Sequence, residues 1–110
     1  MIDWERVQQL RSEVGAEDFD EVVELFLEEV DEIVDRLRAA AAMDGLESDL
    51  HFLKGSALNL GFADFSGLCQ VGEEMSANGQ AENVDLASIL NCYDASRAVF
   101  LNDMSQKLSA

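Results

Sequence analysis

The chain has 110 residues, with 23 Asp and Glu against 7 Lys and Arg and a formal net charge of -16. A domain of that length buries roughly two-thirds of the surface its unfolded chain exposes, enough for a core without metal or disulfide staples. The negative field repels nucleic-acid phosphates and anionic lipid headgroups, which argues against both as partners; 48% apolar content without a single proline points to long, uninterrupted helices.

The opening "MIDWERVQQL" has acidic and polar residues where a secretory signal needs a basic start and an apolar run. No window approaches the roughly 18 apolar residues of a membrane span, so a cytoplasmic location is expected. Cys69 and Cys92 form neither a C-x-x-C pair nor part of a ligand cluster, and each reads as a small buried hydrophobe.

Along the chain, Trp4, Val7, Leu10 and Val14 recur at helical spacing, predicting a short first helix from about Asp3, its N-cap, to a left-handed stop at Gly15. From Asp18 to about Met43, Phe19, Val22, Val23, Phe26, Val30, Ile33, Val34, Leu37 and Ala41 form the clearest stripe in the sequence. Acids fall between them and make a solvated outer face. Leu25 and Leu27 lie off the stripe and either widen the core face or touch a partner.

Asp44 and Glu47 have the spacing of a capping box around a reversal at Gly45, and Gly61 punctuates the chain again, so a third helix is predicted over 46–60. A fourth follows, with Phe65, Leu68, Cys69, Gly72 and Met75 on one side. The run 76–83 is loop chemistry, and a last helix is predicted from an N-cap at Asn83 to Leu108, carrying Leu86, Leu90, Tyr93, Phe100, Leu101 and Met104. Four long amphipathic segments with short connections predict an all-α, antiparallel up-down four-helix bundle, with the short N-terminal helix capping one end. One domain over 1–110 is expected.

The only histidine lies in "HFLKGSALNLGF", residues 51–62. Leu46, Leu50, Leu53, Ala57 and Leu60 fall within an arc of about 80°, which must face the core, and His51 points about 150° away from its centre. A structural core histidine would sit inside that arc. Lys54 and Gly55, at i+3 and i+4, share the histidine's side. Glycine inside a helix costs roughly 0.5–1 kcal/mol relative to alanine, so Gly55 needs a reason: close helix packing, or room for a partner to approach the imidazole. Its place on the histidine side favours the second. The Lys54 ammonium is suited to neutralising an anion placed on the ring, above all a phosphoryl group, and an imidazole nitrogen with a free lone pair is a nucleophile toward phosphorus.

With "ADFSGLCQVGEEM" after it, this stretch resembles the histidine-containing phosphotransfer (HPt) domains of multistep phosphorelays, through His51, Leu53, Lys54, Gly55, Ser56, Leu60, Gly61, Leu68 and Cys69. The resemblance implies a four-helix bundle in which His51 Nε2 takes a phosphoryl group from a receiver domain's aspartyl phosphate and passes it to another receiver aspartate. It implies that Lys54 balances the phosphate charge and Gly55 leaves space for the receiver's loops. Ser56 either hydrogen-bonds near the phosphate or bonds its own helix backbone. Family members often carry glutamine 22 positions after the histidine to orient the ring; here Glu73 stands there, with Gln70 one turn earlier as the alternative partner.

A phosphocarrier rather than an autonomous enzyme is implied, since the chain shows no glycine-rich nucleotide loop and no metal cluster. Magnesium would come with the receiver, and no resident cofactor is expected. The partners implied are response-regulator receiver domains and a hybrid histidine kinase, with the chain itself a monomer. Phe52 and Leu58, about 110° and 130° from the core centre, are candidates for a receiver-facing patch, and Leu10 joins them by family analogy. Two rival readings remain open: a phosphotransfer domain from a larger histidine kinase, although Met1 and the short tail suggest a free-standing chain, and an acidic helical interaction module without chemistry.

Overall fold

The computed structural model describes residues 2–39 and 45–108. Asp3 begins the first helix, its Oδ1 accepting the Arg6 N–H at 3.2 Å, and α1 runs Trp4–Val14. Gly15 ends it at φ 91°, but with ψ 142°, outside the left-handed helical well, so the chain leads directly into α2, Ala16–Ala39. The predicted end of α2 near Met43 and the Asp44 half of the capping box lie outside the described residues. Gly45 and Gly61 bracket α3, Leu46–Leu60, at φ 83° and 76°.

After α4, Ala63–Ala77, the connection to the last helix is 78–85, as long as the predicted loop 76–83 but shifted by two residues, with a single 3-10 turn at Ala81–Asn83 inside it. The last helix, α5, is Leu86–Leu108, and its N-cap is Asp85 rather than Asn83. Asp85 Oδ1 accepts the Ser88 N–H at 3.2 Å and Oδ2 the Ser88 hydroxyl at 2.8 Å, while Asn83 is taken up by the 3-10 turn.

The helices form a bundle in which α3 packs most closely on α4, α4 on α5, and α2 on α3. The α2 stripe is buried through Phe19, Val23, Val30, Val34 and Leu37. Leu27 joins that core, whereas Leu25 is 54% exposed. Leu10 is also core, at 5% exposure, which corrects its expected place in a docking patch: three residues from Val7, it lies on the inward face of a short helix. Trp4 stacks on Phe100 at 5.7 Å, and the Asp3 N–H donates to the Gly61 carbonyl at 2.7 Å, fixing α1 at the end where α3 turns into α4. No helix among the described residues is long and apolar enough to cross a membrane.

Between α2 and α5, the buried Tyr93 hydroxyl donates to Asp31 Oδ1 at 2.5 Å and Arg97 reaches Asp31 Oδ2 at 3.1 Å. Burial raises the Tyr93 hydroxyl well above its ordinary value, and the bond to Asp31 adds to the rise. Cys69 is fully buried, as predicted, and burial pushes its thiol up to about 12; Cys92 is only partly buried. Both Cys69 and Tyr93 therefore keep their protons in the fold at a pH where the unfolded chain, at about 8.5 and 10, releases them.

The fold binds more protons than the unfolded chain above about pH 8.5, so stability is full below that value and declines as pH rises toward 12. The decline from Cys69 approaches about 1.4 kcal/mol per pH unit within that window, and Tyr93 adds to it above about pH 10. Melting temperatures followed by circular dichroism are expected to fall steadily from pH 8.5 to 11. Cys69→Ala should flatten the first part of the decline, and a flat profile for the parent chain would contradict this account.

Candidate functional site

Leu46, Leu50, Leu53, Ala57 and Leu60 are all buried, so α3 turns its opposite side outward and carries His51 with it. The imidazole is 70% exposed. Its Nδ1 lies 2.9 Å from Glu73 Oε2 on α4. A carboxylate only accepts, so Nδ1 carries a proton in this contact, and in the neutral ring that tautomer leaves the Nε2 lone pair free. Among the described residues, no other side chain bonds the ring.

The second oxygen of the same carboxylate, Glu73 Oε1, is ion-paired with Lys54 Nζ at 2.6 Å. Both side chains are mostly covered, 23% exposed for Lys54 and 18% for Glu73. The Lys54 ammonium first, and the His51 imidazole second, hold the Glu73 carboxyl below its ordinary value, against a smaller opposing effect of burial. Glu73 can reach across because its neighbour Gly72 lets α4 approach closely: a Cβ there would stand 2.8 Å from Leu50 Cδ1 and 3.2 Å from Ile89 Cδ1.

The two candidate ring partners thus separate. Gln70 is exposed and donates to Glu74 Oε1 at 3.3 Å, away from the imidazole, so the carboxylate of Glu73 takes the ring. Ser56 is likewise not brought to the histidine. It is 6% exposed on the inward side of α3, about 140° round the helix from His51 at about 100° per residue.

Gly55 is exposed, and a Cβ built on it would meet nothing within 4 Å. Helix packing among the described residues therefore gives no reason for a glycine there. Phe52 and Leu58 are 40% and 57% exposed. The Arg36–Asp49 pair at 2.7 Å draws α2 along the side of α3 that carries Phe52. On α2, Val22, Leu25, Phe26 and Glu29 line a shallow cleft, an apolar surface signalled in the sequence only by Leu25 falling off the stripe. Asn59, not singled out from the sequence, accepts from Arg6 at 2.9 Å and ties α1 to the exposed side of α3.

Chemically, this is an imidazole held at Nδ1 and open at Nε2, on a packed helix, with a cation one turn away. Such a ring can accept an electrophilic phosphorus at Nε2. The described residues contain no group of three or more His, Cys, Asp or Glu placed to hold a metal ion. The carboxylate that bonds the ring, Glu73, is already shared between Lys54 and His51.

Comparison with curated proteins and with solved structures gave no match. A family model for the Hpt domain matches residues 21–109. That span holds most of α2, the whole of α3, α4 and α5, and with them His51, Lys54, Gly55 and Glu73. The chain therefore belongs to the Hpt-domain family, the phosphocarriers of phosphorelay and two-component signalling.

Proposed function

We propose that His51 is the phosphorylated residue, taking a phosphoryl group from the aspartyl phosphate of one receiver domain and passing it to the aspartate of another. In the first step the Nε2 lone pair attacks phosphorus and an N–P bond forms. The P–O bond to the receiver aspartate breaks, and its electron pair leaves with the carboxylate. The Nδ1 proton stays between the ring and Glu73 Oε2, which also offsets the positive charge that develops on the ring. The second step is the reverse, toward a different aspartate.

Phosphoryl transfer needs in-line positioning and charge neutralisation more than covalent help. Magnesium, which neutralises the transferring oxygens, comes with the receiver in this reading. This chain supplies a fixed nucleophile, the Lys54 charge, the clearance over Gly55 and an apolar docking surface made of Phe52 and Leu58, extended by the Leu25 cleft on α2. An apolar contact suits a carrier of net charge -16, because it adds no like-charge repulsion to an acidic receiver face.

The observation that carries the reading is the exposed imidazole whose Nδ1 is tied to Glu73, within a span that matches the family. Incubation with a phosphorylated receiver domain and magnesium is expected to place acid-labile, alkali-stable phosphate on the chain. His51→Gln should abolish that label while leaving the helical circular dichroism unchanged. Receiver binding without any label on the parent chain would favour the interaction module instead, and label that survives His51→Gln would remove His51 from the mechanism.

A further inference from the structure

The ion pair between Lys54 and Glu73 raises a problem for a lysine that is to meet a phosphate. In the resting chain its ammonium is already committed, 2.6 Å from Glu73 Oε1, with only 23% of the side chain exposed. The carboxylate is the fixed partner of the two. It sits one residue from the tightly packed Gly72 and is anchored through its other oxygen to the His51 ring. Lys54 is the mobile partner, a compact charge on a flexible four-carbon stem, one turn from His51 on the same helix.

We propose that Glu73 is a positioning residue that latches Lys54 in the resting chain and yields it to the phosphoryl group on His51, keeping the Nδ1 proton as it does so. The inference rests on His51 being the phosphorylated residue. Its physical basis is competition. A carboxylate with one negative charge holds the ammonium at rest; a phosphoryl group with nearly two charges and three acceptor oxygens, bonded to the neighbouring ring, offers a stronger partner once it is there.

Two consequences follow from the shared carboxylate. Before transfer, a free ammonium beside His51 would collect passing anions, whereas the latched pair is locally neutral. After transfer, the benefit that Lys54 brings to the phosphorylated state is reduced by the loss of its resting contact with Glu73. A ligand shifts an equilibrium only by its difference in affinity for the two states. Glu73 therefore sets how strongly Lys54 stabilises the phosphohistidine, and removing the latch should let Lys54 act in full.

The test is a double-mutant cycle on the whole chain: the parent, Lys54→Ala, Glu73→Gln and the double variant. Each is phosphorylated with potassium phosphoramidate, whose P–N bond breaks to release ammonia as the N–P bond to His51 forms. The level of phosphohistidine is read by 31P NMR, and with one histidine in the chain the signal has one source. Lys54→Ala is expected to lower that level about twofold when Glu73 is present, and about fivefold or more in the Glu73→Gln background. Glutamine still accepts the Nδ1 proton, so any role of Glu73 in orienting the ring cancels around the cycle.

Equal losses in the two backgrounds would overturn the latch while leaving the phosphocarrier reading intact. Failure of the parent chain to take label from either phosphoramidate or a phosphorylated receiver would overturn both. A structure of the phosphorylated parent chain gives a second readout that needs no variant. Lys54 Nζ should lie on a phosphoryl oxygen and beyond 4 Å from Glu73, the outer limit of an ion pair. A Lys54–Glu73 contact kept at its resting distance would sink the proposal.

Discussion

Gly55→Gln is expected to slow phosphoryl exchange between His51 and a receiver domain by about a hundredfold while making the fold more stable. Both effects come from the same fact. Among the described residues nothing lies within 4 Å of a Cβ built on Gly55, so an exposed side chain can start there without a clash. Glutamine is a better helix former than glycine by somewhat under about 1 kcal/mol, which corresponds to a rise of about 3–5 °C in melting temperature for a domain of this size. Transfer, however, needs the receiver aspartate in line with Nε2, and a displacement of about 1 Å is enough to lose a factor of about 100. A side chain at i+4, standing on the same helix face as His51, imposes at least that displacement on a docked partner. Gly55→Ala, with one added methyl, should show a stability gain at least as large, alanine being the better helix former, and a smaller loss of rate. Single-turnover transfer from a labelled receiver, beside thermal melts, checks both halves. Unimpaired transfer in Gly55→Gln would mean that the open space is not where the receiver sits.

The outward direction of His51 was legible because five apolar residues of α3 define one arc and all five are buried. What the wheel of a single helix does not give is the width of the buried arc. Ser56 and Lys54 both lie beside it, on opposite flanks, and the neighbouring helices decide their fates. Ser56 becomes buried, at 6% exposure, whereas Lys54 keeps its charge at the surface edge by pairing with Glu73 of α4. The two residues of that pair are on different helices, outside the reach of any i, i+4 rule. The resemblance offered Glu73, with Gln70 as the alternative, to orient the ring, but the contact of Glu73 with Lys54 depends on how closely α4 approaches α3, which Gly72 sets from within the packed interface.

Helix boundaries were legible where the backbone leaves few alternatives. α3 starts and ends as predicted because glycine stands at both ends and both glycines adopt positive φ. The start of α5 was not, since Asn83 and Asp85 are both good caps two residues apart. The tight 3-10 turn uses the first and leaves the second to bond Ser88. Leu10 shows where family analogy misplaced a residue whose spacing held the answer. Its helical spacing with Val7 served only to predict the helix and family analogy placed it at the surface; the same spacing puts it on the buried face of α1 beside Val7.

Gly61→Ala is expected to be the most damaging single methyl that can be added to this fold, costing about 2–4 kcal/mol and lowering the melting temperature by about 10–20 °C. Two separate penalties combine. The residue holds φ 76° as the left-handed end of α3, a conformation that costs a residue with a Cβ about 1–2 kcal/mol. In addition, the new Cβ would stand 2.5 Å from the Asp3 carbonyl oxygen and 3.0 Å from Val7 Cγ2. The first is a backbone atom and cannot rotate away, so the start of α1 must shift. That shift strains the Asp3 N–H bond to the Gly61 carbonyl, the Asp3 cap on Arg6 and the stacking of Trp4 on Phe100. Gly45 provides the control. It holds φ 83° at the other end of α3 with nothing within 4 Å of a Cβ, so Gly45→Ala should show the conformational penalty alone, about 1–2 kcal/mol. His51 lies ten residues, about 15 Å along the helix, from Gly61, so the fraction of Gly61→Ala that remains folded should still accept phosphate at the parent rate. Equal losses in the two glycine variants, measured by urea or thermal denaturation, would show that the contact between α1 and the α3–α4 turn is slack.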